Sequence, residues 1–176
     1  KSSWMGESRV YANQYNAPVV VGQGGSYNDP GFSSFWARGS SRRDVPTSTE
    51  FYVGKHIGED ANTIRSDETI GYLVIEAGDY TIRSTRLVAG LGSDTVRGIN
   101  NAPYNYPVSG LTAPSAAILS SAGMDGGDGG RPVLYGPNAV AAAGLSLAID
   151  EDQANDSERR HATEQVAYLV FESVPN

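Results

Sequence analysis

The chain has 176 residues, no Cys, 20 acidic residues against 13 Lys and Arg, and a net charge of −7. This balance disfavours nucleic acid and anionic membrane, which both need a basic patch, and the lack of Cys excludes disulfides and thiolate-held metals. No stretch approaches the roughly 18 apolar residues of a membrane-spanning helix.

Taken in chain order, the expected elements are short strands. There are 21 Gly and 9 Pro, set between β-branched and aromatic runs, which describes an all-β protein. Residues 18–21 (PVVV) form the first clear run and end in the long turn GQGGSYNDPG. A strand over 34–38 (SFWAR) follows, then a polar loop. Residues 51–56 alternate, with Phe51, Val53 and Lys55 on one face and Tyr52, Gly54 and His56 on the other. Residues 70–76 (IGYLVIE) and 166–172 (VAYLVFE) are apolar on both faces, as a strand covered on two sides should be. Residues 156–166 carry some helical charge spacing and are the one helix candidate. A chain that begins at Lys1 is expected to be a processed piece of a longer one.

The sequence also repeats itself. TIGYLVIE at 69–76 stands 96 residues before QVAYLVFE at 165–172. Residues 17–40 lie over 115–138 at an offset of 98, residues 51–56 over 147–152, and residues 5–10 loosely over 91–96. A duplication of this size predicts two copies of one module, residues 1–84 and 85–176, packed together. Two diverged copies suit binding or assembly, where valency raises avidity, better than catalysis.

The blocks at 54–78 and 147–172 carry a family resemblance. Together with PVVV, the long turn and the aromatic strand, they resemble tandem H-type-lectin-like modules of large secreted bacterial proteins. The resemblance implies two antiparallel β-sandwiches, extracellular or cell-surface placement, and carbohydrate binding or self-assembly. No individual sugar-contacting residue carries over.

Residue chemistry nominates two sites. Sugars need an aromatic face beside planar hydrogen-bonding groups. Trp36 and Arg38 on one strand, with Tyr27, Asn28 and Asp29 of the preceding turn, are the best such set; Trp4 and the run Tyr104–Tyr106 are second. Trp36 has a competing reading as core. Calcium needs six to eight hard oxygens on a flexible loop. Asp150, Asp152, Asp156 and Glu158 offer carboxylates at spacings of 2, 4 and 2, without the glycine of an EF-hand. Neutralisation by Arg159 and Arg160 is the alternative. The Gly-rich run 123–130 (GMDGGDGG) reads first as a long turn. His56 and His161 do not align between the copies, which argues against a shared zinc site.

Catalytic motifs are missing. There is no G-x-S-x-G elbow, and GQGGS at 22–26 lacks the lysine of a phosphate-binding loop. The expectation is therefore a non-catalytic carbohydrate-binding or adhesive module of a larger secreted or surface protein, with calcium as the candidate cofactor. Its partners are a glycan or polysaccharide, and the alternative is a self-assembling subunit of a fibre or surface layer.

Overall fold

The computed structural model describes residues 4–101 and 104–173. Within them the chain is all-β. Its strands are β1 (Glu7–Arg9), β2 (Pro18–Gly24), β3 (Ser34–Arg38), β4 (Phe51–His56), β5 (Ile70–Glu76), β6 (Gly78–Ile82) and β7 (Thr85–Leu91). A 3-10 turn at Ile99–Asn101 leads to β8 (Tyr104–Pro107), β9 (Pro114–Ala122), β10 (Gly130–Leu134), β11 (Val140–Ala141), β12 (Gly144–Glu151) and β13 (Val166–Ser173). The helix candidate at 156–166 is instead a loop up to the start of β13. Asp156 accepts the Glu158 amide and Glu158 accepts the Arg160 amide. Such local bonds compete with the helical ladder.

The two halves match in their strand pairing. β4 lies between β1 and β3, and β12 lies between β8 and β10. β2 pairs with β5 as β9 pairs with β13. Pro18 sits opposite Glu76 and Pro114 opposite Glu172, an offset of 96. A bulge then leaves Ser115 unpaired, and Val19 opposite Ile75 matches Ala116 opposite Phe171, an offset of 97. The offset of 98 is thus corrected by the register. The match of 5–10 with 91–96 is also corrected, because pairing makes β8 the counterpart of β1.

The halves do not stand as two closed sandwiches. β3 pairs in parallel with β9, which joins them into one seven-stranded sheet of order β1-β4-β3-β9-β13-β7-β6. The boundary after Ser84 falls in the turn of the β6–β7 hairpin, where Arg83 adopts φ 56°. β8, β10, β11 and β12 form a second sheet, and β2–β5 form a two-stranded ribbon.

The ribbon explains the curl of the large sheet. Val20 packs with Phe35, Ala37, Phe51 and Val53 from β3 and β4. Val19 and Val21, on the opposite face of β2, pack with Leu87, Ala89, Ala167 and Leu169 from β7 and β13. The large sheet therefore covers both faces of β2. A third cluster, including Leu145, Leu147, Ile149, Val166 and Val170, fills the space between the large sheet and the β12 sheet. The two similar apolar strands consequently differ. β13 is central, with Val166, Ala167, Leu169 and Val170 buried, whereas Tyr72 and Leu73 of β5 are 41% and 52% exposed.

Matching glutamates tie matching loops to these strands. Glu76 accepts the amides of Asn16 at 2.9 Å and Ala17 at 2.8 Å. Glu172 accepts the amides of Thr112 at 2.6 Å and Ala113, with the Thr112 hydroxyl at 2.7 Å. The Ala113 amide and the Thr112 hydroxyl stabilise the carboxylate and hold the Glu172 pKa down at about 2. Because this value lies below the ordinary 4.5, the contribution of Glu172 is present above that pH and is lost as pH falls toward 2. Glu172→Gln is expected to lower the melting temperature at pH 7, with the gap to the parent chain closing by about pH 2; circular dichroism melts across that range measure it.

Candidate functional site

In each half two long turns run between one strand pair and the other, β2–β5 and β3–β4 or β9–β13 and β10–β12, and a glutamate and a basic residue hold them. In the first half Glu68 accepts the amides of Asn28 and Asp29 at 3.0 Å and the Ser26 hydroxyl at 2.5 Å. In the second, Glu164 accepts the amides of Asp125 and Gly126 at 2.8 and 2.7 Å. Arg65 pairs with Asp29 at 2.9 Å and Asp60 at 3.0 Å. His161, 96 residues on, bonds Glu151 at 2.8 Å and Glu164 at 2.9 Å. Burial alone pulls the His161 pKa down, but its two carboxylate partners outweigh burial and raise it. Burial likewise pushes Glu151 up. Gly126 lies against this imidazole so closely that a Cβ would stand 2.3 Å from its ring.

The Gly-rich run 123–130 is therefore a turn packed over two buried imidazoles, as its composition suggests. Gly123 and Gly129 have φ 79°, a region that favours glycine. His56 is fully buried, bonds the Gly130 carbonyl at 2.9 Å, and stacks on Trp4 at 5.1 Å. Burial drops its pKa to about 4, so it is neutral at pH 7.

The structure separates the five residues nominated for sugar. Trp36 is 1% exposed and donates its indole N–H to the Met5 carbonyl at 2.7 Å. It belongs to the core and offers no stacking face, because β9 and β4 flank β3 and the N-terminal segment covers it. Arg38 lies 4.1 Å over the Tyr52 ring and donates to the carbonyls of Gly39 and Ser40. Asp29 is buried against Arg65 and accepts the Gly31 and Ser66 amides. Asn28 donates to the Asp67 carbonyl at 2.8 Å. Tyr27 alone of the five presents an open ring, 78% exposed. Among the second choices, Tyr106 is buried, and the Tyr104 side chain lies outside the described residues.

Tyr27 stands at a cleft of about 340 Å³. Its wall includes Ser26, Phe32, Ser34, Lys55, Glu68 and Arg131. A neighbouring cleft of about 250 Å³ shares Gly24, Ser34, Phe35 and Arg131, and a third of about 200 Å³ shares Lys55, Glu68 and Ile70. Arg131 comes from β10 in the second half, so the cleft is composite. No local pattern around Arg131 signals this, since only the β3–β9 junction brings it here.

The four carboxylates nominated for calcium do not form a metal cage. Asp150 pairs with Arg159 and, at 3.4 Å, with Arg131. Asp152 is buried and accepts the amides of Glu59 at 3.1 Å and Ala154 at 2.9 Å. Asp156 and Glu158 are exposed and turned to their own loop amides. Among the described residues no three His, Asp or Glu side chains converge into a group that could hold a metal ion. Charge neutralisation by arginine, the alternative reading, accounts for Asp150.

No protein-family model matches the chain, and no solved structure matches it. The chain is similar to Halomucin from Haloquadratum walsbyi (strain DSM 16790 / HBSQ001), at 26% identity over 168 residues. The match covers 94% of this chain and 2% of that protein. Among the described residues no helix is long and apolar enough to cross a membrane. Trp36→Ala is expected to cost about 3–5 kcal/mol of stability, the range for a buried large aromatic, and urea unfolding measures it.

Proposed function

We propose that this chain is a non-catalytic carbohydrate-binding or adhesive module of a larger extracellular or cell-surface protein, and that it holds sugar in the cleft beside Tyr27. The exposed Tyr27 ring above a serine-lined polar cleft carries the reading. An aromatic face takes the apolar side of a pyranose, and hydroxyls and charged groups read its rim. Likeness to a small part of a very long protein fits a module among others. The paired three-strand and two-strand sets of each half fit two merged H-type-lectin-like copies. The buried carboxylates hold backbone amides and cations, which suits scaffold better than acid–base chemistry.

Self-assembly has one supporting observation. The outer edge of β5 pairs with no strand among the described residues, and Leu73 on it is half exposed. Such an edge is a template for another chain.

Tyr27→Ala is expected to weaken binding to a retained polysaccharide about tenfold with an unchanged melting temperature. Affinity electrophoresis across a polysaccharide panel measures it, and an unchanged affinity removes Tyr27 from the site. Leu73→Lys is expected to abolish any concentration-dependent dimer seen by sedimentation, which separates the edge-pairing reading from sugar binding.

A further inference from the structure

We infer that the Tyr27 cleft selects an acidic sugar, with the carboxylate of a uronate residue on Arg131 and the ring beside Tyr27. This deepens the proposed carbohydrate reading and rests on it. Arg131 is the charged wall residue shared by the clefts of about 340 and 250 Å³, and its side chain is 59% exposed. Its protein partner is Asp150 at 3.4 Å, and Asp150 is already paired more closely with Arg159. One carboxylate thus serves two guanidinium groups, and a positive charge is left over at the cleft wall. Lys55 lies 3.8 Å from Glu68 and donates to the Ser66 carbonyl at 2.6 Å, so its charge is already matched. The Glu68 carboxylate is itself taken up by two backbone amides and a hydroxyl. With Lys55 and Glu68 offsetting one another, Arg131 leaves the cleft wall net positive on a chain of net charge −7. A planar guanidinium with free donors matches a carboxylate fork.

Gly24 is a second, independent observation. It lines both clefts, and a Cβ there would have no atom within 4 Å. Its φ lies outside the left-handed region that favours glycine. Neither packing nor backbone conformation requires a glycine at this position. What its bare backbone leaves is open room at the cleft for a ligand to approach.

The experiment is affinity electrophoresis of the whole chain, its Arg131→Gln variant and its Gly24→Leu variant. The matrices are polygalacturonate, dextran, dextran sulfate and polyglutamate. The expected result is retardation by polygalacturonate over dextran and polyglutamate, weakened about tenfold or more by Arg131→Gln and blocked by Gly24→Leu, with melting temperatures unchanged. Retardation by dextran equal to that by polygalacturonate, untouched by Arg131→Gln, overturns the acidic selectivity and leaves the carbohydrate reading standing. Equal retardation by polyglutamate reduces the effect to charge and overturns it. Retention by dextran sulfate alone replaces the uronate with a sulfated sugar. Retention by none of the three polysaccharides removes both readings.

Discussion

Long turns with inward-facing amides are the constraint on which this fold rests. A buried N–H without a partner costs about 1–3 kcal/mol, and each half sets several at the ends of its paired strands. Four glutamates answer them: Glu68 and Glu164 at one end, Glu76 and Glu172 at the other. The members of each pair are 96 residues apart. An acidic composition that looks like solvated surface is therefore partly internal wiring. The same need explains the buried basic residues. Arg65 neutralises Asp29 and Asp60, and His161 bridges Glu151 and Glu164. Charge taken out of water persists only where it is paired and hydrogen-bonded.

With the turns held, the ribbon β2–β5 can sit inside the curl of the large sheet. Val19, Val20 and Val21 are all buried because β3 and β4 close over one face and β7 and β13 over the other. The parallel β3–β9 contact makes this possible, since it adds the second half's strands directly to the first half's sheet. Merger buries the copy-to-copy surface as sheet core, with backbone hydrogen bonds across it.

Much of this was legible in the sequence. The strands at 34–38, 51–56 and 70–76 are legible to the residue because β-branched and aromatic runs, alternating at 51–56, are bounded by turn residues. The match between the halves is readable because YLVIE and YLVFE are nearly identical. The offset of 98 differs from the register, in which the Ser115 bulge changes 96 to 97 without leaving a mark in composition. The site was harder. Trp36 was drawn into it by residue type, although its neighbours bury it, and the calcium set by density of carboxylates, although arginines and amides already hold Asp150 and Asp152. Tyr27 was legible as an aromatic in a Gly/Asn/Asp/Pro turn. Arg131 was not, because its place depends on a contact between distant segments.

The junction also accounts for the asymmetry of the copies. With the corrected offset of 97, Tyr27 of the first turn corresponds to Met124 of the second. Tyr27 is 78% exposed, and Met124 is 1% exposed. The difference follows from how the halves meet. β3 and the loop after it lie beside β9, so the Gly123 and Met124 amides donate to the carbonyls of Ala37 and Arg42, and Arg42 reaches the Gly126 carbonyl. The second turn is thereby roofed by the first half and becomes core, which selects a flexible apolar Met and close-packed glycines. Among the described residues no second-half loop is seen to donate to the Tyr27 turn in this way, and Arg131 of that half stands at the cleft wall. Side-by-side joining of two matching halves thus makes one turn structural filling and leaves the other exposed at the cleft.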